Sequence, residues 1–255
     1  MQPFSPSKPL MNALYRCVIL VVVYGVVGIA LGGGQAPWNG EVRHWGTMLE
    51  VLGQGQTQAR VRIGDATPSA DVVAVGALEG LKGEITIVDG NVWIARDAQG
   101  AEAIDAAESD ASAALLISAR VPEWRTVTIK KPIQAEEFET FLRRSAGNAG
   151  IDTKRPFPFV LEAALSVDAH VVRGNCPHAA ASGEEKRLEP ERFSIRGRRA
   201  TLVGFFAEGS EGILTHHGAA THVHVVLPGE PSLMGHVDSV TEVHDGVLRL
   251  PKTKR

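Results

Sequence analysis

The residues best placed for chemistry lie in Thr221-His222-Val223-His224-Val225-Val226. On an extended strand, residues two apart point to one face, so His222 and His224 project together. That is the spacing a metal ion needs when two imidazoles from one strand share it, and neutral imidazole suits zinc and its neighbours in the first transition row. A third histidine, His236, follows the turn at Pro228-Gly229, within Leu233-Met234-Gly235-His236-Val237-Asp238. The intervening length lets the chain make a hairpin and bring His236 beside the pair. Three protein ligands with open positions form a catalytic type of zinc site rather than a closed structural one. The competing reading is that a His-x-His pair is two unrelated surface histidines. The third histidine just past a turn is what sets this pattern apart.

The remaining histidines carry less weight. His216 and His217 precede the strand, and neighbours on opposite faces cannot both face a metal, so they read as a solvated loop, with one of them as a donor behind the ligands the alternative. His44, His170, His178 and His244 match no ligand pattern. Cys176, beside Pro177 and His178, reads as a bystander thiol. With Cys17 inside the apolar N-terminal segment described next, Cys176 has no partner for a disulfide once that segment is removed.

Lys8 and Arg16 precede Val18 to Leu31, a run without charge, and Gly32-Gly33-Gly34-Gln35-Ala36 follows. A basic flank, a short apolar run and a small-residue exit are the layout of a secretory signal peptide. The run is shorter than the ~20 residues that span a bilayer comfortably, with a retained anchor as the alternative. Residues 1–36 are therefore expected to be a signal peptide or anchor, and the protein to be exported, periplasmic or extracellular, and membrane-bound only if the segment stays.

The elements that must position the histidines are mostly strands. Thr47 to Leu52 is a helical turn ending near Gly53. Val72 to Val75, Glu84 to Val88 and Asn91 to Ile94 read as strands, the last two joined by Asp89-Gly90, a two-residue hairpin signal. Ala113 to Ala119 and Thr126 to Ile129 are further strands. Gln134 to Arg144 follows a helical period with Phe138, Phe141 and Leu142 on one face. Gly147 to Pro158 is rich in glycine and proline and marks the expected boundary between two lobes, 37–150 and 151–255. Phe159 to Val172, Ala200 to Phe206, Thr221 to Leu227 and Val240 to Leu250 supply strands of the second lobe, while Ala179 to Glu191 reads as a surface loop. The expected fold is α+β and β-rich, two lobes of mixed or antiparallel sheet. The chain has 255 residues, 44% hydrophobic and 22% charged, with a net charge of -3, and these values suit a globular protein rather than a nucleic-acid binder. Its densest basic stretch, Arg192 to Arg199, reads as a solvated loop.

Thr221 to Ser239 resembles the zinc-site segment of the acetolactate decarboxylase family, with its His-x-His pair and later Gly-His-Val. Further stretches are similar in the same order: Trp45 to Leu52 with Thr47-Met48, Gly76 to Gly90 with Leu81-Lys82-Gly83-Glu84 and Asp89-Gly90, Ala200 to Phe206 with Val203-Gly204-Phe205, and Leu248-Arg249-Leu250-Pro251. The resemblance spans about residues 41 to 252. It implies a two-lobed, mostly β fold that removes CO2 from 2-acetolactate to give acetoin. The zinc ligands it implies map onto His222, His224 and His236, and a glutamate approaching the site maps onto Glu84. Loss of CO2 leaves an enediolate, whose charge a Lewis-acidic metal can stabilise, while a nearby carboxyl group manages the proton.

The sequence departs from the family at two places. In the alignment, Glu162 in Phe159-Val160-Leu161-Glu162-Ala163-Ala164 stands where the family has an arginine able to hold the substrate carboxylate, and Arg173 is the substitute clamp. The family also continues past the Arg-Leu-Pro element with a tail bearing another glutamate, whereas this sequence ends at Arg255. The expected ligand is a small 2-hydroxy-3-keto acid, with a homodimer as one option for assembly. Two other readings stand beside decarboxylation: an exported metal-holding relative serving another ligand, and an envelope interaction module whose histidines bind metal only to stabilise the fold. A buried carboxyl at Glu84 speaks for chemistry, and a closed four-ligand site for structure.

Overall fold

The computed structural model describes residues 36–67, 69–105, 109–174 and 189–254. The apolar N-terminal segment, Cys17, Cys176, His178 and most of the expected loop before Glu191 lie outside the described residues. Among the described residues, no helix is long and apolar enough to cross a membrane.

Two antiparallel sheets account for most of the chain. The first takes its strands in the order β1 (Arg43–Trp45), β7 (Ser112–Arg120), β3 (Val72–Leu78), β4 (Glu84–Val88), β5 (Asn91–Asp97) and β6 (Gly100–Asp105), with β2 (Val61–Arg62) also on β7. Strands β4 and β5 form the expected hairpin. Asp89 and Gly90 have φ of 52° and 79°, the positive values that a tight two-residue turn requires. Every residue of β3 and β4 is buried, because the sheet is covered on both faces. Alternation along β4 decides what each face meets. Ile85 and Ile87 pack with Ile63, Ala66 and Leu116, while Val88 joins the larger core shared with the second sheet. Glu84 and Thr86 share the face of Val88, so sequence parity alone aims them at the second sheet.

The second sheet contains β8 (Trp124–Thr128), β9 (Ile133–Gln134), β10 (Phe157–Val171), β11 (Glu191–Phe206), β12 (Thr221–Leu227) and β13 (Leu233–Pro251). Strand β10 pairs with both β11 and β13, and β12 joins those two, so the four long strands close into a ring. The chain crosses between sheets near residues 121–123, since β8 already pairs with β13. The glycine- and proline-rich stretch instead leads from helix α2 (Phe138–Asn148) into β10. The short helix α1 (Ile63–Ala66), strands β1, β2 and β6 had no sequence signal, and Leu49–Gly53 forms the expected helical turn with π-type hydrogen bonding.

One sequence expectation is corrected. Arg192 to Arg199 is not a loop but the first half of β11, paired with β10 from Glu191 to Arg199. Its arginines are compatible with a strand because they project to solvent, where two of them find carboxylates: Arg192 meets Asp238 at 2.6 Å, and Arg196 meets Asp168. The core lies between the sheets and inside the ring. Phe157, Phe159, Phe205 and Phe206 are fully buried, with the rings of Phe157 and Phe206 stacked at 5.1 Å. Each such side chain stabilises the fold by about 1.5–3 kcal/mol through burial. Helix α2 closes one side with Phe138 and Leu142, and Glu139 on it accepts from Ala220 N at 2.8 Å and Thr221 Oγ1 at 3.1 Å, fixing the start of β12.

Candidate metal centre

Register brings the three histidines together. His222 and His224 share one face of β12, and His224 lies directly opposite His236 on β13. Their ring centroids are 5.0–5.5 Å apart, and one ring nitrogen from each falls within 4.8 Å of the others. Gly235 permits the crossing of β13 and β10 here, since a Cβ on it would sit 2.5 Å from the carbonyl oxygen of His170. His222 and His224 are 2% and 0% exposed and His236 9%. Burial holds the pKa of each well below the usual 6.5, and the neighbouring histidines push the same way. All three are neutral at neutral pH, with lone pairs available to a cation.

The ring nitrogens are sorted by their partners. His222 Nδ1 lies 3.1 Å from the Leu214 carbonyl oxygen, which can only accept, so Nδ1 carries the proton and Nε2 the lone pair. His224 Nδ1 pairs with Thr86 Oγ1 at 2.9 Å, leaving Nε2 buried with no hydrogen-bond partner. Opposite that nitrogen, at 3.7 Å, is Glu84 Oε2, too far for a hydrogen bond. A buried polar nitrogen left without a hydrogen bond costs about 1–3 kcal/mol, and a cation between it and the carboxyl oxygen would engage both. Three neutral imidazoles, two of them oriented through Nδ1, are the donor set that zinc or a similar ion takes. The three buried histidines could therefore hold a metal ion.

Glu84 is 3% exposed, and its Oε1 accepts from Val172 N at 3.2 Å. Burial pushes its carboxyl up to about 8, against the lowering effect of the Val172 amide. Arg173, the next residue, forms an ion pair with Glu191, whose other oxygen accepts from Ala98 N at 2.9 Å. Gly174 N donates to Leu81 O at 2.6 Å, which ties the segment carrying Arg173 to the chain just before β4.

Glu162 is not at this site. Arg249 joins it at 3.1 Å to the turn of the β4–β5 hairpin, where Asp89 is bound through two 2.8 Å hydrogen bonds. Asp89 is five residues beyond Glu84, or about 16 Å along a strand. Glu162 thus serves an ion-pair cluster at the other end of β4 and exerts no contact repulsion on a ligand beside the histidines.

Sequence reasoning missed several neighbours. Thr86 was visible only through its parity with Glu84. His216, expected in a solvated loop, lies with its ring 5.0 Å from that of His236, and burial lowers its pKa, while His217 is exposed. The ring of His170 lies 5.1 Å from that of His236, tilted by 50°, because it is the register partner of that residue on β10. A cavity of about 480 Å³ opens on this side, lined by Phe138, Glu139, His170, His216, His236 and Asp238. Glu84 does not line this cavity and lies against His224 instead.

No protein-family model matches the sequence, and no curated protein does. Solved structures do. α-Acetolactate decarboxylase from Bacillus subtilis strain 168 is 16% identical, with a TM-score of 0.66 over 84% of this chain and 86% of that one. Acetolactate decarboxylase from Bacillus subtilis subspecies spizizenii is 18% identical, with a TM-score of 0.64 over 84% and 86%. A Staphylococcus aureus protein of unknown function, described as similar to α-acetolactate decarboxylase, is 16% identical with a TM-score of 0.63 over 82% and 84%. The β-rich, two-sheet fold expected from the sequence is the fold these proteins share.

Proposed function

We propose that this chain is a zinc-dependent carbon–carbon lyase that decarboxylates 2-acetolactate, or a closely related 2-hydroxy-3-keto acid, to acetoin or its analogue. The observation that carries this reading is the buried histidine triad with its orphan His224 Nε2 facing the buried Glu84 carboxyl, on a fold like that of acetolactate decarboxylases. His222, His224 and His236 hold the metal. When bound, zinc supplies a Lewis acid that stabilises the negative charge left on the substrate oxygens as CO2 departs.

The chain's own residues do the rest. Leu214 O and Thr86 Oγ1 fix the two rings of β12, so that both present Nε2. The Val172 amide holds Glu84 Oε1, leaving Oε2 as the atom that carries a proton and passes it to the substrate carbon. Arg173 takes the substrate carboxylate, exchanging it for Glu191. The protein is exported, and its 1–36 segment is the signal. A second reading is favoured by one observation: the Arg173 guanidinium is already paired with Glu191. In that reading the protein is an exported metal-binding homologue that serves another ligand or an interaction role. The deciding experiment is zinc-loaded protein assayed for acetoin from racemic acetolactate. Acetoin at enzymatic rates supports the lyase, and none above the zinc-only control rejects it in favour of the homologue.

A further inference from the structure

Beside the triad, His170 is held in one orientation. Its Nδ1 lies 2.8 Å from Asp238 Oδ1, and the other oxygen of that carboxylate accepts from Arg192 Nη1 at 2.6 Å. A carboxylate engaged by an arginine accepts and does not donate, so the imidazole proton sits on Nδ1. Nε2 of the neutral ring is then a hydrogen-bond acceptor. No other residue satisfies it among the described hydrogen bonds. The ring is 16% exposed, lines the cavity, and is 5.1 Å from the ring of His236. Filling space would need only an apolar side chain here. Asp238 and Arg192 instead spend two polar contacts on fixing which nitrogen points onward.

We propose that His170 is a ligand-binding residue: its Nε2 accepts a hydrogen bond from the hydroxyl of a small hydroxy acid bound at the metal position. This rests on the triad holding a metal, and it assigns the selection of a hydroxyl-bearing ligand to a residue outside the triad. His170 is a donor to Asp238 and an acceptor to the ligand, so a carboxylic acid without the hydroxyl leaves Nε2 unpaired and binds more weakly.

The test uses the full protein loaded with cobalt(II), whose visible spectrum reports both metal uptake and ligand binding. The probes are 2-hydroxy-2-methylpropanoate and, lacking the hydroxyl, 2-methylpropanoate. In the wild type the hydroxy acid should bind more tightly. His170→Phe and Asp238→Asn should keep full cobalt content while weakening the hydroxy acid about tenfold, the scale of one neutral hydrogen bond, and leaving 2-methylpropanoate unchanged. Asp238→Asn keeps the shape but offers an amide donor to Nδ1, which favours the opposite tautomer and turns Nε2 into a donor. Variants that retain the wild-type preference, or that lose cobalt, overturn the role of His170. A wild type that takes up no cobalt, or whose spectrum neither probe changes, overturns the open metal site itself, and that result is distinct from the other two.

Discussion

Replacing Thr86 by valine removes one hydroxyl and little else. The side chain is fully buried on β4, and its Oγ1 lies 2.9 Å from His224 Nδ1. Valine matches threonine in shape, so no cavity forms and the neighbours need not move. What remains is His224 Nδ1 buried without a partner, on a ring whose Nε2 is already unpaired. An abandoned buried polar group costs about 1–3 kcal/mol, which sets the expected loss of stability in the metal-free protein. The effect on the metal is larger in kind, because the hydroxyl holds the ring at the angle that presents Nε2. Partners of this sort are worth ~10–100-fold in metal affinity. Urea unfolding of the metal-free protein measures the first quantity, and competition against a chromophoric chelator measures the second. Thr86→Ser, which keeps the hydroxyl, should recover most of the affinity though not all of the packing. Thr86→Val protein with wild-type zinc affinity would refute the argument, whatever its stability, since the ring would then be oriented by something else.

Four further outcomes are expected. In metal-free protein, stability should fall as pH drops below 6.5, because the unfolded chain takes up protons that His222, His224 and His236 refuse when folded. Each such histidine costs about 1.4 kcal/mol per pH unit below that point. Glu84, raised to about 8, works the other way and offsets one of the three between its unfolded value and that pH. Urea midpoints at pH 7.0 and 5.5 check this, and equal midpoints contradict the burial of neutral histidines. Glu84→Gln should keep zinc and lose ~10²–10⁴-fold in acetoin formation, and unchanged turnover removes Glu84 from the chemistry. Glu162→Arg should leave turnover unchanged but lower stability by about 1 kcal/mol, since it sets a second guanidinium against Arg249. A gain in turnover would put Glu162 back at the site. Protein recovered from its native host should begin near Gly34 to Trp38, as N-terminal sequencing would show. A start at Met1 or Gln2 in a membrane fraction would indicate an anchor.

The parts of the site that lie on one strand or one hairpin could be read from the sequence. His222 and His224 follow from the period of two, and His236 from a turn followed by a strand of matching length. Asp89-Gly90 fixed the β4–β5 hairpin because its conformation is a local property. Glu84 entered through the resemblance alone, and only the fold shows that burial accompanies it. The pairing of β10 with β13 left no trace, because it carries three register shifts and joins residues some seventy positions apart. His170 depends on that register, so no pattern along the chain could place it beside His236. The misreading of Arg192 to Arg199 has a similar origin. A strand with one solvent face can carry arginines there freely, and its partner carboxylates Asp168 and Asp238 come from distant strands. Glu162 was misplaced because an alignment reports a position and not the direction of a side chain.

The most direct test of the metal centre is the metal content of protein purified with zinc, dialysed and analysed beside three single-ligand variants. About one zinc per chain is expected in the wild type and in His244→Ala, whose histidine is paired with Glu242 outside the cluster. Loss of one of three ligands should strip the metal from His222→Ala, His224→Ala and His236→Ala alike. Full zinc occupancy in His224→Ala would contradict the central claim.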